Sequence, residues 1–249
     1  MPVQKKDELK VWQRRDRRTQ LTVWAGYLVG TMVFVWCWQL MSEETFWDFV
    51  LDAPRQAGDM TSRMVPPKWD YINALWRAIW DTINIATLGT LMALVLAVPT
   101  AFCAARNTTP SVTFIRPIAL FVIVSSRSIN SLIWALILVA IVGPGVFAGI
   151  IAIGLRSIGF CAKLLYEAIE EIDENQVEAV SATGARGPQV LAYGIIPQVL
   201  PAFAGISVFR WDINIRESTI LGLVGAGGIG LHLSSSIANL AWTQVSVIL

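Results

Sequence analysis

The sequence predicts an all-α protein, a polytopic membrane helical bundle of about six transmembrane helices, and three observations carry that prediction. Of its 249 residues 55% are apolar and only 15% charged, with a mean hydropathy of +0.57, well outside the balance of soluble domains. The charges cluster and leave long gaps: 24 uncharged residues between Arg18 and Glu43, 24 between Asp81 and Arg106, 28 between Arg127 and Arg156, and no Asp, Glu, Lys or Arg in the 32 residues after Glu217. Each gap can hold a spanning helix of roughly 20 residues. No stretch shows the ten-residue alternation of a membrane strand, and backbone groups in lipid must be satisfied internally, so helices remain.

Residues 1–20 are a basic tail, with seven Lys and Arg in the first 18 positions. A basic run beside a first apolar segment places that end in the cytoplasm. Residues 21–41 form the first transmembrane helix, a retained anchor: the apolar core is too long for a cleavable signal and lacks a small-residue exit. Residues 42–79 are then external and amphipathic, with Glu43, Glu44, Asp48, Asp52, Asp59 and Asp70 set against Arg55, Arg63, Lys68 and Arg77. Trp47, Trp69, Trp76 and Trp80 suit the membrane interface, so this stretch lies partly on the membrane surface.

The remaining core, residues 80–249, is one domain. A second span, 81–105, returns to the cytoplasm, where Arg106 to Arg116 form a short loop containing Pro110. A third, 117–142, meets the turn Gly143-Pro144-Gly145, and a fourth, 146–165, comes back in. The polar stretch at about 167–198 is therefore cytoplasmic. A fifth span, 199–224, leads to external glycines between Gly225 and Gly230, and a sixth begins near Leu233 and is short or lacks its natural end.

Formal net charge is +1, which gives no electrostatic case for a nucleic-acid partner. Cys37, Cys103 and Cys161 lie in apolar surroundings at unrelated spacings and His232 is the one histidine, so no metal site is expected. Gly225-x-Gly227-x-x-Gly230 has the spacing of a dinucleotide loop, but an apolar helix precedes it and no acid follows, so tight packing explains it better. Glu170, Glu171, Asp173 and Glu174 read as a solvated helix face rather than an acid/base pair. No catalytic residue is assigned. No GxxxxGK[ST] stretch is present to cradle ATP phosphates.

The cytoplasmic stretch carries the most specific signal. In Glu178-Ala179-Val180-Ser181-Ala182-Thr183-Gly184 small residues permit close approach by another protein, and Gly184 can stop a helix. This segment resembles the cytoplasmic motif of binding-protein-dependent ABC importer permeases: EAA, three residues, Gly, nine residues, then Ile, any residue, Leu-Pro. Glu178, Ala179, Gly184 and Pro197 match, while Val180, Gly194 and Ile196 depart from it. The tracts VLAYGIIPQVLP, FRWDINIREST and LGLVGAGGIG, with SSRSIN at Ser125 to Asn130, are similar to the phosphonate-permease branch, the PhnE family, over about residues 75–249.

That resemblance implies an ABC importer type I permease fold, a pore made by a second copy of the chain, and transport of phosphonate or phosphite-like oxyanions across the bacterial inner membrane. It implies an ABC ATPase subunit dimer as partner, with ATP and Mg bound there and no cofactor on this chain, and a periplasmic substrate-binding protein. It also assigns ATPase contact to Glu178, Ala179, Ala182, Thr183, Gly184 and Ala185. The alternatives are a permease for another small solute such as methionine or a polar amino acid, or a channel or membrane enzyme.

Arg127, Arg156, Arg210, Asp212, Arg216 and Glu217 lie in or near apolar spans, where an ionised side chain costs at least about 2.5 kcal/mol at a helix centre. Arg210, Asn214 and Glu217 share a helix face, and Asp212 and Arg216 form an i, i+4 pair able to neutralise itself. Arg127, among Ser125, Ser126, Ser128, Asn130 and Ser131, has no acid in its own span. The candidate pathway residues are therefore Arg127, Ser128, Asn130, Arg210, Asn214 and Arg216, since the guanidinium fork suits tetrahedral oxyanions.

Overall fold

The computed structural model describes residues 3–6, 9–12 and 17–249. The basic tail expected at 1–20 falls partly outside those residues. Its described backbone contains a short antiparallel hairpin of β1 (Val3–Lys6) and β2 (Leu9–Trp12) with Val3 opposite Trp12. Everything else that is regular among the described residues is helical.

The chain divides into two compact units, 1–61 and 62–249. The first holds the hairpin, helix α1 (Arg17–Glu44) and most of α2 (Trp47–Met64). α1 is apolar on every side and long enough to cross a membrane. α2 is strongly amphipathic and contains no buried residue, as an interfacial helix would.

The second unit is a helical bundle. After a single 3₁₀ turn (Trp69–Tyr71) come α3 (Ile72–Ala104), α4 (Ile115–Ser128), α5 (Ser131–Val142) and α6 (Val146–Glu170). The short α7 (Glu174–Ala182) is followed by α8 (Gly187–Val190), a π turn (Leu191–Ile195) and α9 (Ile196–Gly222) in continuous succession. Pro197 has no N–H for the carbonyl four residues back, and the widened turn ahead of it absorbs that loss. α10 (Ile229–Ala238) and α11 (Trp242–Ile248) complete it.

Packing explains the arrangement. α3 turns Ala78, Ala86, Gly89, Ala93, Ala97, Ala101 and Ala104 inward and leaves Leu88, Leu91, Val95 and Leu96 outside. In lipid there is no hydrophobic gain from burying leucine, so small residues that let backbones approach form the contacts. Gly89 of α3 lets α6 in close, since a Cβ there would meet Ile153 Cγ2 at 2.9 Å, and Gly159 of α6 does the same for α4, where a Cβ would meet the Ile123 carbonyl oxygen at 2.4 Å.

Among the described residues four helices are long and apolar enough to span, or five if α4 and α5 count as one. The expected third span, 117–142, is thus broken: α4 and α5 meet at 86°. Asn130 marks the break by capping α5, its side chain accepting from the Leu132 N–H at 3.2 Å. The expected sixth span is two short helices, divided at Asn239 and Leu240, the latter at φ +54. The second begins at Ile72, ahead of the expected start near Asp81.

Candidate functional site

Two regions of the second unit concentrate functional geometry. At one end of the bundle, Asp173 caps α7, its carboxylate accepting from the Asn175 N–H at 3.0 Å. Gly184, at φ +80, stops the segment in a conformation that a side chain would strain. Val177 faces the bundle core beside Gly194. Gln198 of α9 ties the start of α7 down, accepting from the Asp173 N–H at 2.9 Å and donating to the Gly194 carbonyl at 2.7 Å.

The consequence is a small-residue helix held from behind and open in front. Glu178, Ala179, Ala182, Thr183 and Gly184 are exposed and Ala185 is half-buried. Ala179, Val180, Thr183, Gly184, Gln189 and Tyr193 line an open groove of about 590 Å³. Nearby, Glu170 at the end of α6 accepts from the Arg106 N–H at 2.9 Å and pairs with Arg116 at 3.5 Å. The 106–116 loop and α7 therefore share one end of the bundle. The opposite end is closed by Gly145 N–H donating to the Gly225 carbonyl at 3.0 Å and by Tyr71 against His232 at 3.0 Å.

The second region lies halfway along the helices. Arg210 of α9, 3% exposed, donates from Nε to Ser157 Oγ of α6 at 2.9 Å and from Nη2 to Glu217 Oε2 at 3.5 Å. Its guanidinium also lies 5.1 Å from the centre of the Phe160 ring. Arg156 of α6 pairs with the other carboxylate oxygen of Glu217 and donates to Ser131 Oγ, at the start of α5, at 3.5 Å. Asn214, fully buried, accepts from Ser157 at 3.2 Å and donates to Thr90 of α3 at 2.8 Å. Four helices thus converge on one polar cluster with two guanidiniums and one carboxylate. The cluster opens through Arg156, whose side chain is 32% exposed.

Of the pathway residues expected from sequence, Arg210 and Asn214 meet in this cluster. Arg127, Ser128 and Asn130 sit together elsewhere, at the α4–α5 break, where Arg127 is exposed and its stem lies across Gly159. Among the described residues Arg127 has no ion-pair partner. Arg216 is exposed on α9 and pairs with Asp212. The residues that the pattern did not select are Arg156, Ser157, Thr90, Ser131 and, as the bridging anion, Glu217. The charges of Arg156 and Glu217 were visible, but their pairing crosses 61 positions and two helices, and a one-helix face pattern cannot see it. The glycines at Gly225, Gly227 and Gly230 follow a helix and pack against helices: a Cβ on Gly230 would lie 1.9 Å from the Thr219 carbonyl oxygen.

A bundle of helices long and apolar enough to span, with small-residue contacts, an exposed small-residue helix at one end and a charged cluster halfway along it, is the architecture of a membrane transport permease. Residues 89–249 match the family described as binding-protein-dependent transport system inner membrane component, and the chain belongs to it. It is the transmembrane permease of an ABC importer, a family whose members work with an ATPase and a substrate-binding protein. It is 37% identical over 224 residues, 89% of this chain and 80% of the relative, to the phosphite transport system permease protein PtxC of Stutzerimonas stutzeri. It is also 37% identical over 227 residues to the phosphate-import permease protein PhnE of Mycolicibacterium smegmatis, covering 91% of this chain and 42% of that one. The solved MetNI methionine ABC transporter superposes with a TM-score of 0.59 over 73% of this chain and 94% of its own, at 20% identity. That last likeness is one of fold alone.

Proposed function

We propose that this chain moves phosphonate, or the closely similar phosphite, across the inner membrane as a pair of identical copies. The observation that carries the substrate reading is the 37% identity with a phosphite permease over 89% of the chain. The two guanidiniums of the mid-depth cluster are in keeping with it, since arginine is suited to forked recognition of tetrahedral oxyanions. A methionine or polar amino acid permease, the other reading, is favoured by fold likeness and by a shorter match, 33% identity over 36% of the chain, to a methionine import permease.

In this reading the ATPase dimer docks on Glu178, Ala179, Ala182, Thr183, Gly184 and Ala185, and ATP and Mg are bound by that partner, with none on this chain. The N-terminus and α7 lie in the cytoplasm, and the binding protein docks on the opposite face and supplies the tight binding. ATP-driven closure of the ATPases displaces α7, and because Gln198 joins α7 to α9, the displacement reaches the helix that carries Arg210, Asn214 and Glu217. Arg127, Ser128, Asn130 and Arg216 line the route on either side of that cluster.

The test is uptake in a strain lacking its own phosphonate and phosphite systems, carrying this chain with its ATPase and binding protein. Saturable, ATP-dependent accumulation of phosphite or methylphosphonate, without methionine uptake, is expected. Methionine uptake in place of either anion overturns the substrate reading.

A further inference from the structure

Glu217 holds the two arginines of the cluster in an unusual way: one carboxylate oxygen on Arg156, the other on Arg210. Arg156 is on α6 and Arg210 on α9, so the carboxylate bridges two helices as well as two charges. From these contacts we infer that Glu217 is a built-in occupant of an oxyanion site, which a phosphonate or phosphite displaces from the two guanidiniums during passage. The inference rests on the substrate reading above and adds to it a place in the membrane and a means of release.

Charge and donor chemistry point the same way. Two guanidiniums and one carboxylate leave a formal excess of one positive charge, so the cluster is attractive to an anion even when Glu217 is seated. With the carboxylate swung away, two guanidiniums face a dianion. Two oxygens of a tetrahedral PO₃ group would replace the two carboxylate oxygens, and a serine hydroxyl accepts from each guanidinium and helps to hold it. Ser131 Oγ lies 3.5 Å from Arg156 Nη1 and Ser157 Oγ lies 2.9 Å from Arg210 Nε. The Ser157 hydroxyl donates to the buried Asn214 amide, which is itself tied to Thr90 of α3, so Arg210 keeps its position while the carboxylate moves.

The access route is also present. Arg210 is shut in, but Arg156 has a side chain 32% exposed and stands next to the start of α5 at the 86° break. The cluster therefore has one arginine that an entering anion meets first and one that it reaches only by displacing Glu217. Such competition answers a requirement of any carrier, that a site attract strongly enough to load and weakly enough to empty. Glu217, being tethered, re-forms both pairs as the anion leaves and favours its departure in the process.

The experiment is anion binding to the purified full-length chain in lipid nanodiscs, with methylphosphonate and phosphite as probes followed by ³¹P line broadening. E217Q keeps the length and one acceptor oxygen but withdraws the negative charge. It should bind both probes about tenfold more tightly than the parent, and in vesicles containing the ATPase and binding protein it should release them more slowly. S157A, which removes the hydroxyl that positions Arg210 without touching charge, should weaken binding in the E217Q background. Because E217Q leaves two arginines unpaired, its thermal stability should fall without anion and recover with methylphosphonate more than with an equal concentration of chloride.

E217Q binding no tighter than the parent, with unchanged phosphite uptake, overturns the displacement while leaving the transported substrate standing. Failure of the parent to import either anion strikes the substrate reading instead. An E217Q chain stabilised equally by chloride and methylphosphonate marks Glu217 as a plain counter-ion and also overturns the inference.

Discussion

At the scale of single residues, Asn214 shows how the mid-depth cluster depends on hydrogen bonds. It accepts from Ser157, which in turn receives Arg210, and it donates to Thr90. Asn214→Leu keeps the volume but removes both links. Thr90 retains its bond to the Ala86 carbonyl, so the main loss falls on Ser157 and on the register of Arg210. An unpaired buried polar group costs about 1–3 kcal/mol, and hydrogen bonds between membrane helices average about 0.6 kcal/mol. A net loss of about 1–2 kcal/mol follows, read as a lower Tm of the detergent-purified chain; an unchanged Tm would refute the linkage. The spacing of Arg210, Asn214 and Glu217 made half of this cluster legible, because residues at i, i+4 and i+7 share a helix face whatever the tertiary fold. The other half comes from α3, α5 and α6. Nothing in one helix's periodicity says that Arg156 rather than Arg216 will pair with Glu217, and it is the crossing of α6 and α9 that decides.

At the scale of elements, α7 has an exposed outer face and an inner face fastened to the bundle. The charge gaps announced α1 and most of α3, because uncharged apolar runs of that length have few other uses, whereas α6 and α9 hold charges within them and were read from apolar content alone. The gaps could not announce the bend between α4 and α5, since a hydropathy window averages across Ser125 to Ser131 and sees a single run. What marks the bend is Asn130, whose side chain caps the start of α5 one residue after α4 has ended in the extended Ile129. For α7 the glycine at 184 and the run of small side chains were readable, whereas the Gln198 clamp was not, being a contact across 25 positions. Two substitutions separate docking from coupling. Ala179→Trp fills the open groove and should abolish copurification with the ATPase while leaving the Tm of the chain unchanged, because Ala179 is exposed and touches no core. Gln198→Ala should preserve copurification but lower anion uptake per ATP hydrolysed, since α7 would move without carrying α9. Loss of copurification in Gln198→Ala, or normal coupling ratios, would remove the clamp from the mechanism.

At the scale of the whole molecule, the end-to-end arrangement of the second unit determines which faces meet which partners. Glu170 gathers the 106–116 loop at the same end as α7. The other end is marked by Lys68, whose backbone N–H donates to the Thr243 carbonyl at 3.1 Å, and by the Tyr71–His232 pair. An ATPase needs the α7 end in the cytoplasm, so Lys68 must then face outward. Both Lys68 and Ser181 are exposed, and neither side chain is needed by the bundle. In a background with Cys37→Ser, Cys103→Ala and Cys161→Ala, Lys68→Cys should react with a membrane-impermeant maleimide in spheroplasts, and Ser181→Cys should react only after permeabilisation. The reverse result would put the small-residue helix on the outer face, where no ATPase can reach it. It would also turn the mid-depth cluster over, making Arg156 accessible from the wrong side for an importer. Equal labelling of both positions before permeabilisation would mean leaky spheroplasts, which a cytoplasmic enzyme released into the medium detects in the same sample.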